Sequence, residues 1–219
     1  MVDLIRLPIQ TSDGRPLMHK FYRQTHDPQG LIVLFPGGNY GVDGPLLYYL
    51  GEMLQASGWD SLALTYGYQT RMEELSVETI PGLVGECIAA VKYVLSERVY
   101  PQVAFAGKSI GASVAAHICQ VETALETARL VMLNPPLGHA FFDNTFVETT
   151  QPAFLVSGTA DRFYDAAALE TLGASRAFEL CVINDADHSM DVVGNLEASM
   201  EAVKRVVTGA VAFLQTSLT

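Results

Sequence analysis

The stretch Gly107-Lys108-Ser109-Ile110-Gly111 follows a short apolar run, Gln102–Ala106, and opens an alanine-rich segment. A serine on so tight a turn between a strand and a helix has a strained backbone and an exposed hydroxyl. Glycines flank it because side chains there would collide with the neighbouring strand and helix. The pattern predicts that Ser109 is a nucleophile. The alternative is a turn of small residues that only lets the helix pack.

On both sides of this turn, short apolar runs rich in β-branched residues alternate with amphipathic segments of helical length. The predicted strands are Leu31–Phe35, Ser61–Tyr66, Gln102–Ala106, Leu130–Leu133, Ala153–Ser157 and Phe178–Ile183. The predicted helices are Leu46–Ser57, Pro81–Arg98, Ser109–Glu122, Asp165–Leu172 and a final helix from about Asp191 to Gln215. Buried strands that are each followed by a helix indicate a mostly parallel central sheet with helices on both faces.

The N-terminal region has the pattern of an antiparallel hairpin. Leu4–Gln10 and Leu17–Arg23 flank a turn-rich stretch with Asp13 and Gly14 at its centre, so we expect them to pair as antiparallel strands. No repeat, low-complexity tract or linker divides the sequence, and we expect residues 1–219 to form a single α/β domain.

Composition and charge exclude several classes of protein. Hydrophobic residues make up 49% and charged residues 17% of the 219, which is typical of a globular protein and unlike a disordered or fibrous chain. The net charge is −11, so we expect no basic surface for nucleic acid or for an anionic membrane. Three widely spaced cysteines, no leader-like N-terminus and no apolar stretch near the ~18 residues of a membrane helix favour a cytoplasmic protein. The sequence leaves the oligomeric state open.

In a parallel sheet, functional side chains gather in the loops at the carboxyl ends of the strands. His188 follows the last predicted strand, where a neutral imidazole could take the proton of the Ser109 hydroxyl and later return it to a leaving group. Asp161 ends the preceding strand at the same edge and is the candidate acid that orients His188 and offsets its charge. The chain order nucleophile, acid, base is typical of hydrolases with a serine on a strand-to-helix turn.

Other acidic residues compete with Asp161 for the role of the acid. Asp165 has the position of a cap for the next helix, and Asp185 and Asp187 lie too close to His188 in sequence to reach its far ring nitrogen easily. The alternative for Asp161 itself is a turn or capping role. Without further histidine or carboxylate partners, the loop with Asp185, Asp187 and His188 is not expected to bind a metal.

The segment Leu34–Gly41, with adjacent glycines at 37 and 38, follows the first predicted parallel strand. Adjacent glycines let backbone N–H groups approach a ligand without interference from side chains. Gly38, or alternatively Asn39, is predicted to donate one hydrogen bond to a developing oxyanion, and Ile110 at the start of the helix the other. Neither a GxxxxGK motif followed by Ser or Thr nor a GxGxxG motif is present, so no nucleotide cofactor is expected.

These features together resemble the α/β-hydrolase family, in particular its small esterases and its dienelactone-hydrolase-like members. The similarity extends over nearly the whole chain, from the N-terminal hairpin and the Pro-Gly-Gly loop to Gly107–Gly111, Gly158–Asp161 and the Asp-His-Ser stretch at 187–189. The resemblance implies an α/β-hydrolase fold with little or no cap and a chemistry that needs no cofactor. It also implies that Ser109 is the nucleophile, Asp161 the acid and His188 the base. The oxyanion N–H groups would then belong to Gly38 and Ile110.

Three positions differ from the commonest patterns of this family. Pro36 stands where many members have a histidine before the glycines, and Lys108 stands where an uncharged residue or a histidine is more usual. We expect the Lys108 side chain to point to solvent. Ser109 replaces the cysteine of the dienelactone hydrolases, which argues against that reaction itself.

Residues 135–150 are the place where a small lid would lie. Phe141 and Phe142, together with Tyr40, are predicted to line an acyl pocket, and the alternative is that the rings only pack the loop onto the body. With little cap, the predicted substrates are small to medium carboxylic esters or thioesters, cleaved through an acyl-enzyme on Ser109. The alternative from another class is a non-catalytic sensor or scaffold that binds a small ligand.

Overall fold

Eight strands form one sheet in a computed structural model that describes residues 1–11, 13–76 and 78–216. The strands are β1 (Val2–Arg6), β2 (Lys20–Gln24), β3 (Leu31–Phe35), β4 (Asp60–Ala63), β5 (Val103–Lys108), β6 (Arg129–Leu133), β7 (Ala153–Gly158) and β8 (Glu179–Ile183). The helices are α1 (Pro45–Ala56), α2 (Gly67–Thr70), α3 (Ile80–Glu97), α4 (Ile110–Val121), α5 (Ala140–Glu148), α6 (Ala166–Ser175) and α7 (Leu196–Gln215).

The strand order across the sheet is β1-β2-β4-β3-β5-β6-β7-β8. Strand β2 is antiparallel to both of its neighbours, β1 and β4, whereas β3 to β8 all run parallel. This arrangement confirms the predicted mostly parallel sheet with an antiparallel hairpin at its N-terminal edge. The carboxyl ends of β3, β5, β7 and β8 therefore meet at one edge of the sheet, and the loops that follow them are neighbours.

The N-terminal hairpin has different bounds from those predicted. Strand β1 ends at Arg6 and β2 begins at Lys20, so the predicted strands Leu4–Gln10 and Leu17–Arg23 extend too far toward the turn. Pro8 has no backbone N–H to donate to a neighbouring strand, and the ladder is interrupted there. Beyond it, only an isolated antiparallel bridge joins Gln10 and Pro16.

Two layers of helices cover the sheet, and alternate side chains of a strand pack against opposite layers. In β3, Leu31, Val33 and Phe35 pack on the side of α3, α4, α5 and α6, whereas Ile32 and Leu34 pack on the side of α1 and α7. Burial on both faces explains why the parallel strands are apolar without alternation.

Helix α5 lies in a segment that the sequence predicted as a loop. It has only nine residues, too few to show a clear amphipathic period. Phe142 and Phe146 lie one turn apart in it, stack with ring centroids 5.2 Å apart and are buried in the core. Tertiary packing of these two rings therefore stabilises a helix that local pattern does not predict.

Helix α7 begins at Leu196, five residues after the predicted start near Asp191. Gly194 has a φ of +76°, a left-handed conformation that ends the preceding turn, and the side chain of Asn195 accepts a hydrogen bond from the Ala198 N–H at 3.0 Å. Asn195 is thus the N-cap. Within the part of the chain that the structure describes, no helix is both long and apolar enough to cross a membrane.

Candidate active site

Ser109 occupies the turn between β5 and α4 with a left-handed backbone, φ +55° and ψ −121°. Its N–H donates to the Leu133 carbonyl at 2.9 Å, which ties the turn to the neighbouring strand β6. A Cβ on Gly111 would lie 2.5 Å from the carbonyl oxygen of Phe35, and a Cβ on Gly107 would overlap Gly111 itself. Both flanking glycines are therefore required, and the strained turn leaves the Ser109 side chain half-exposed at the sheet edge.

Asp161 and His188 lie in the loops after the adjacent strands β7 and β8 and are joined by a hydrogen bond of 2.8 Å between His188 Nδ1 and Asp161 Oδ2. The carboxylate also accepts from Asn134 Nδ2 at 3.0 Å and from the Phe163 N–H at 2.9 Å. Burial alone would raise the pKa of Asp161, but the hydrogen bonds from His188, Phe163 and Asn134 outweigh it and hold that pKa below its usual value. The carboxylate is thus charged, and it accepts the proton on Nδ1, which leaves Nε2 of a neutral imidazole unprotonated.

Ser109 and His188 line the same cavity, which has a volume of about 790 Å³. No hydrogen bond joins these two described side chains in this structure. Hydrogen bonds of this kind are often long before a substrate binds and shorten in the complex. The predicted nucleophile and base therefore line one cavity, and the predicted acid, which is buried beside it, is already hydrogen-bonded to the base.

The rival acids have other partners. Asp165 Oδ1 caps α6, accepting from the N–H groups of Ala167 at 2.9 Å and Ala168 at 3.0 Å. Asp187 Oδ1 accepts from the N–H groups of Ser189 at 2.7 Å and Asp191 at 3.0 Å, which tightens the loop that carries the histidine. Asp185 is exposed, with a φ of +60°. Among the described residues, no group of three or more His, Cys, Asp or Glu side chains is arranged to hold a metal ion.

Residues 36–44, here called the Pro-Gly-Gly loop, connect β3 to α1. Its carbonyl oxygens are held from the side of α2: Gln69 Nε2 donates to Gly37 O at 3.0 Å and to Gly38 O at 3.1 Å, and the Tyr68 hydroxyl donates to Gly38 O at 3.2 Å. In a trans peptide the C=O and N–H point in opposite directions, so the bond to Gly37 O turns the Gly38 N–H away from Gln69. Neither that N–H nor the one of Ile110 has an acceptor among the described residues.

The side chains of Tyr66, Tyr68 and Gln69 anchor the Pro-Gly-Gly loop, although no histidine precedes its glycines. The Tyr66 hydroxyl donates to the Pro36 carbonyl at 2.9 Å, so three successive carbonyls of the loop have side-chain donors. Sequence reasoning did not identify Tyr66 or Gln69 as anchors, nor Asn134 as a partner of Asp161. Their only sequence signal is that each lies at or just beyond the end of a predicted strand at the same sheet edge.

The expectation that Lys108 points to solvent is wrong. Its side chain is fully buried, and its Nζ lies 5.4 Å from the centroid of the Tyr40 ring. Strand β5 extends to Lys108, so the alternation of the strand places this side chain on the same face as Ala104 and Ala106, beneath the Pro-Gly-Gly loop.

Of the three predicted pocket residues, Tyr40 and Phe141 line the cavity and Phe142 does not. The prediction for Phe142 is wrong because α5 turns this ring into the core, where it is 0% exposed. Other apolar side chains that line the cavity are Tyr68, Leu75, Ile80, Ile110, Pro136 and Phe163. Charged and titratable side chains also border it, namely Glu73, Glu74, His139 and Arg162.

Comparison with known protein families gives one match, to a family described as "Alpha/beta hydrolase domain", over residues 28–215. No curated protein matches the sequence. The matched region contains every residue of the cavity described above.

Several solved structures have the same fold at low sequence identity. A dienelactone hydrolase from Anabaena variabilis is 16% identical with a TM-score of 0.74, and the alignment covers 97% of each chain. Est1E from Butyrivibrio proteoclasticus, solved with ferulic acid bound, is 14% identical with a TM-score of 0.72 and covers 99% of this chain and 100% of its own. An esterase from Pyrococcus furiosus is 15% identical with a TM-score of 0.74 and covers 98% of this chain and 91% of its own.

Proposed function

Because the chain belongs to the α/β-hydrolase family, we propose that it is a serine hydrolase that cleaves small to medium carboxylic esters or thioesters. One observation carries this proposal: the 2.8 Å hydrogen bond between His188 and a charged, buried Asp161, at the cavity that the Ser109 turn also lines. A histidine that is held in this way and lines a cavity large enough for a substrate has the position of a general base rather than of a purely structural residue.

The proposed reaction has two halves. Ser109 Oγ attacks the acyl carbonyl carbon while His188 Nε2 takes the hydroxyl proton, and the imidazolium gives that proton to the departing alcohol or thiol. Water then attacks the acyl-enzyme with the same histidine as base, which releases the acid and restores Ser109. The unpaired N–H groups of Gly38 and Ile110 stabilise the negative oxygen in both halves.

The shape of the cavity supports the substrate class. A volume of about 790 Å³ lies within the roughly 300–1,000 Å³ that small-molecule sites usually have. Its aromatic and aliphatic walls suit an acyl chain or an aromatic acyl group, and the ferulic acid bound to Est1E is an example of such a group in a structure of the same fold. Helix α5, of nine residues, is too small to enclose a long lipid chain.

The test is hydrolysis of p-nitrophenyl acetate, butyrate and octanoate by the wild type and Ser109→Ala, with fluorophosphonate labelling of both. We expect turnover and labelling in the wild type and neither in Ser109→Ala. Ser96→Ala is the matched control, because Ser96 is an exposed serine near the C-terminal end of α3, toward the opposite edge of the sheet. Ligand binding without turnover across esters, thioesters and lactones, and without labelling, would favour a sensor in place of an enzyme.

A further inference from the structure

Lys108 does not line the cavity but lies next to Ser109, and its burial is unusual because a lysine normally keeps its ammonium group in water. It is the last residue of β5, next to Ser109, and is fully buried. Its Nζ has no hydrogen-bond partner among the described residues. A buried amine without a partner opposes folding, so its place beside the reacting serine calls for a role in the site.

The first contact of Lys108 is with the Pro-Gly-Gly loop. Its Nζ lies over the ring of Tyr40 at 5.4 Å from the centroid, within the range of a cation–π interaction. The Tyr40 carbonyl accepts from the Gly37 N–H at 2.8 Å, and its hydroxyl accepts from the Leu46 N–H at 2.9 Å. Burial, and to a smaller extent the charge of Asp191, raises the pKa of Tyr40 to about 12, so the ring is a neutral phenol. Tyr40 thus ties the loop to α1, and Lys108 supports its ring.

The second set of contacts is electrostatic and comes from the loops after β7 and β8. The carboxylates of Asp161 and Asp187 attract the ammonium group of Lys108, and the guanidinium of Arg162 repels it. Burial lowers the pKa of Lys108 to about 7, with the two carboxylates opposing part of that shift. Lys108 therefore lies between the loop that carries the proposed oxyanion donor and the loops that carry the proposed acid and base.

We propose that Lys108 is a positioning residue, and that its protonated form holds the Pro-Gly-Gly loop, through the Tyr40 ring, in the conformation that presents the Gly38 N–H. This inference rests on the proposed function. The ammonium group attracts the Tyr40 ring and the nearby carboxylates, whereas the neutral amine has neither attraction. Deprotonation releases the loop, so turnover falls as the pH rises through the pKa of Lys108.

The test is the pH dependence of p-nitrophenyl butyrate hydrolysis by the wild type and by Lys108→Met. In the wild type, kcat falls on the alkaline side with an apparent pKa of about 7. Lys108→Met lowers kcat about 10- to 100-fold on the acid side of that step and removes the alkaline fall, with KM changed by no more than about threefold. Methionine matches the length of lysine and removes a buried charge, so the melting temperature does not fall.

Matched variants separate positioning from packing. Lys204→Met alters an exposed lysine of α7 and leaves the profile unchanged. Tyr40→Leu removes the ring above Lys108 and with it the alkaline fall, whereas Tyr40→Phe keeps the ring and keeps the fall. Wild-type kcat and an unchanged profile in Lys108→Met would overturn the inference. If Lys108→Met does not fold, Tyr40→Leu provides the test. An alkaline fall in kcat that persists without the Tyr40 ring would also overturn the inference.

The two proposals fail in different ways. A wild-type protein that neither hydrolyses esters nor reacts with a fluorophosphonate contradicts the serine hydrolase, and the positioning role falls with it. An active, labelled wild type whose turnover does not depend on Lys108 contradicts the positioning role alone.

Discussion

Replacing Gln69 by alanine tests how the Pro-Gly-Gly loop is held. The amide of Gln69 donates to two successive carbonyls of the loop, at 3.0 Å to Gly37 O and 3.1 Å to Gly38 O. Gly38 O keeps the Tyr68 hydroxyl at 3.2 Å after the substitution, whereas Gly37 O loses its side-chain donor. The peptide between Gly37 and Gly38 is then free to rotate, and the Gly38 N–H no longer has a fixed direction.

The expected loss follows from the number of hydrogen bonds removed. Each contributes about 1 kcal/mol net, so the conformation that presents the Gly38 N–H loses about 1–2 kcal/mol relative to its alternatives. If the reaction requires that conformation, kcat falls about 5- to 30-fold, because about 1.4 kcal/mol corresponds to a factor of ten. This is below the roughly 100- to 1,000-fold that removal of an oxyanion donor costs, as it should be for a residue that only orients the donor.

The assay is kcat and KM for p-nitrophenyl butyrate, with thermal melting of the same samples. Tyr68→Phe removes one donor to Gly38 O, together with a long contact of 3.4 Å from Gln69 Nε2 to the hydroxyl, but leaves Gly37 O bonded to Gln69. It should reduce kcat about 3- to 5-fold. Gln29→Ala changes an exposed glutamine that precedes β3, at the opposite end of that strand, and should have no effect. A Gln69→Ala protein that melts earlier but keeps the wild-type kcat would refute the reasoning, because the bonds would then stabilise the fold without orienting the donor.

Three other substitutions test separate parts of the structure. Gly111→Ala should prevent folding, seen as loss of soluble protein or of cooperative melting, because its Cβ would lie 2.5 Å from the backbone oxygen of Phe35; a well-folded variant would contradict the packing of the turn. Asp161→Asn should lower kcat on the order of 10⁴-fold with the circular dichroism spectrum unchanged, because a neutral amide neither fixes the tautomer of His188 nor stabilises its imidazolium. Burial lowers the pKa of His19 to about 4, from 6.5 in the unfolded chain. The unfolded state therefore binds more protons between pH 6.5 and 4. The contribution of neutral His19 to the free energy of unfolding is fully present above that window and is lost as the pH falls through it. In urea unfolding, the free energy of unfolding of the wild type should fall by up to about 3 kcal/mol across this window, and that of His19→Gln should not show this fall. Equal falls in both proteins would contradict the role of His19.

The parallel sheet was predictable because its strands are buried on both faces. Leu31–Phe35 and Leu130–Leu133 contain no charged residue, which is typical of parallel strands between two helical layers. Strand ends were less predictable where the pairing depends on a neighbour. Ser61–Tyr66 was expected as a strand, but β4 pairs only over Asp60–Ala63, since its register is set by the strands on either side. Strand propensity is a property of one segment, whereas backbone pairing depends on two neighbouring strands.

The candidate site, like the strand bounds, could be predicted from the sequence only in part. Ser109, Asp161 and His188 could be placed at one edge from the order of strands and helices alone, since parallel strands end together. Gln69 and Asn134 could not be placed there, because each acts through its side chain, from the short helix α2 and from the loop after β6, on atoms distant in sequence. The bond from Gln69 to Gly37 spans 32 residues and that from Asn134 to Asp161 spans 27, and no local pattern encodes either.

Lys108 shows how two further residues of strand change a functional expectation. With the strand taken to end at Ala106, the lysine belongs to the turn, and a charged residue in a turn is expected to lie in solvent. The strand in fact continues through Gly107 to Lys108, so its alternation applies, and two residues beyond Ala106 the side chain returns to the same buried face. The small side chains of Ala104 and Ala106 precede it on that face. The burial of the lysine follows from strand parity, and that burial is the main reason why its pKa is lowered. Chain topology also brings Asp161 and Asp187, which oppose part of the shift, and the Tyr40 ring to the same strand end.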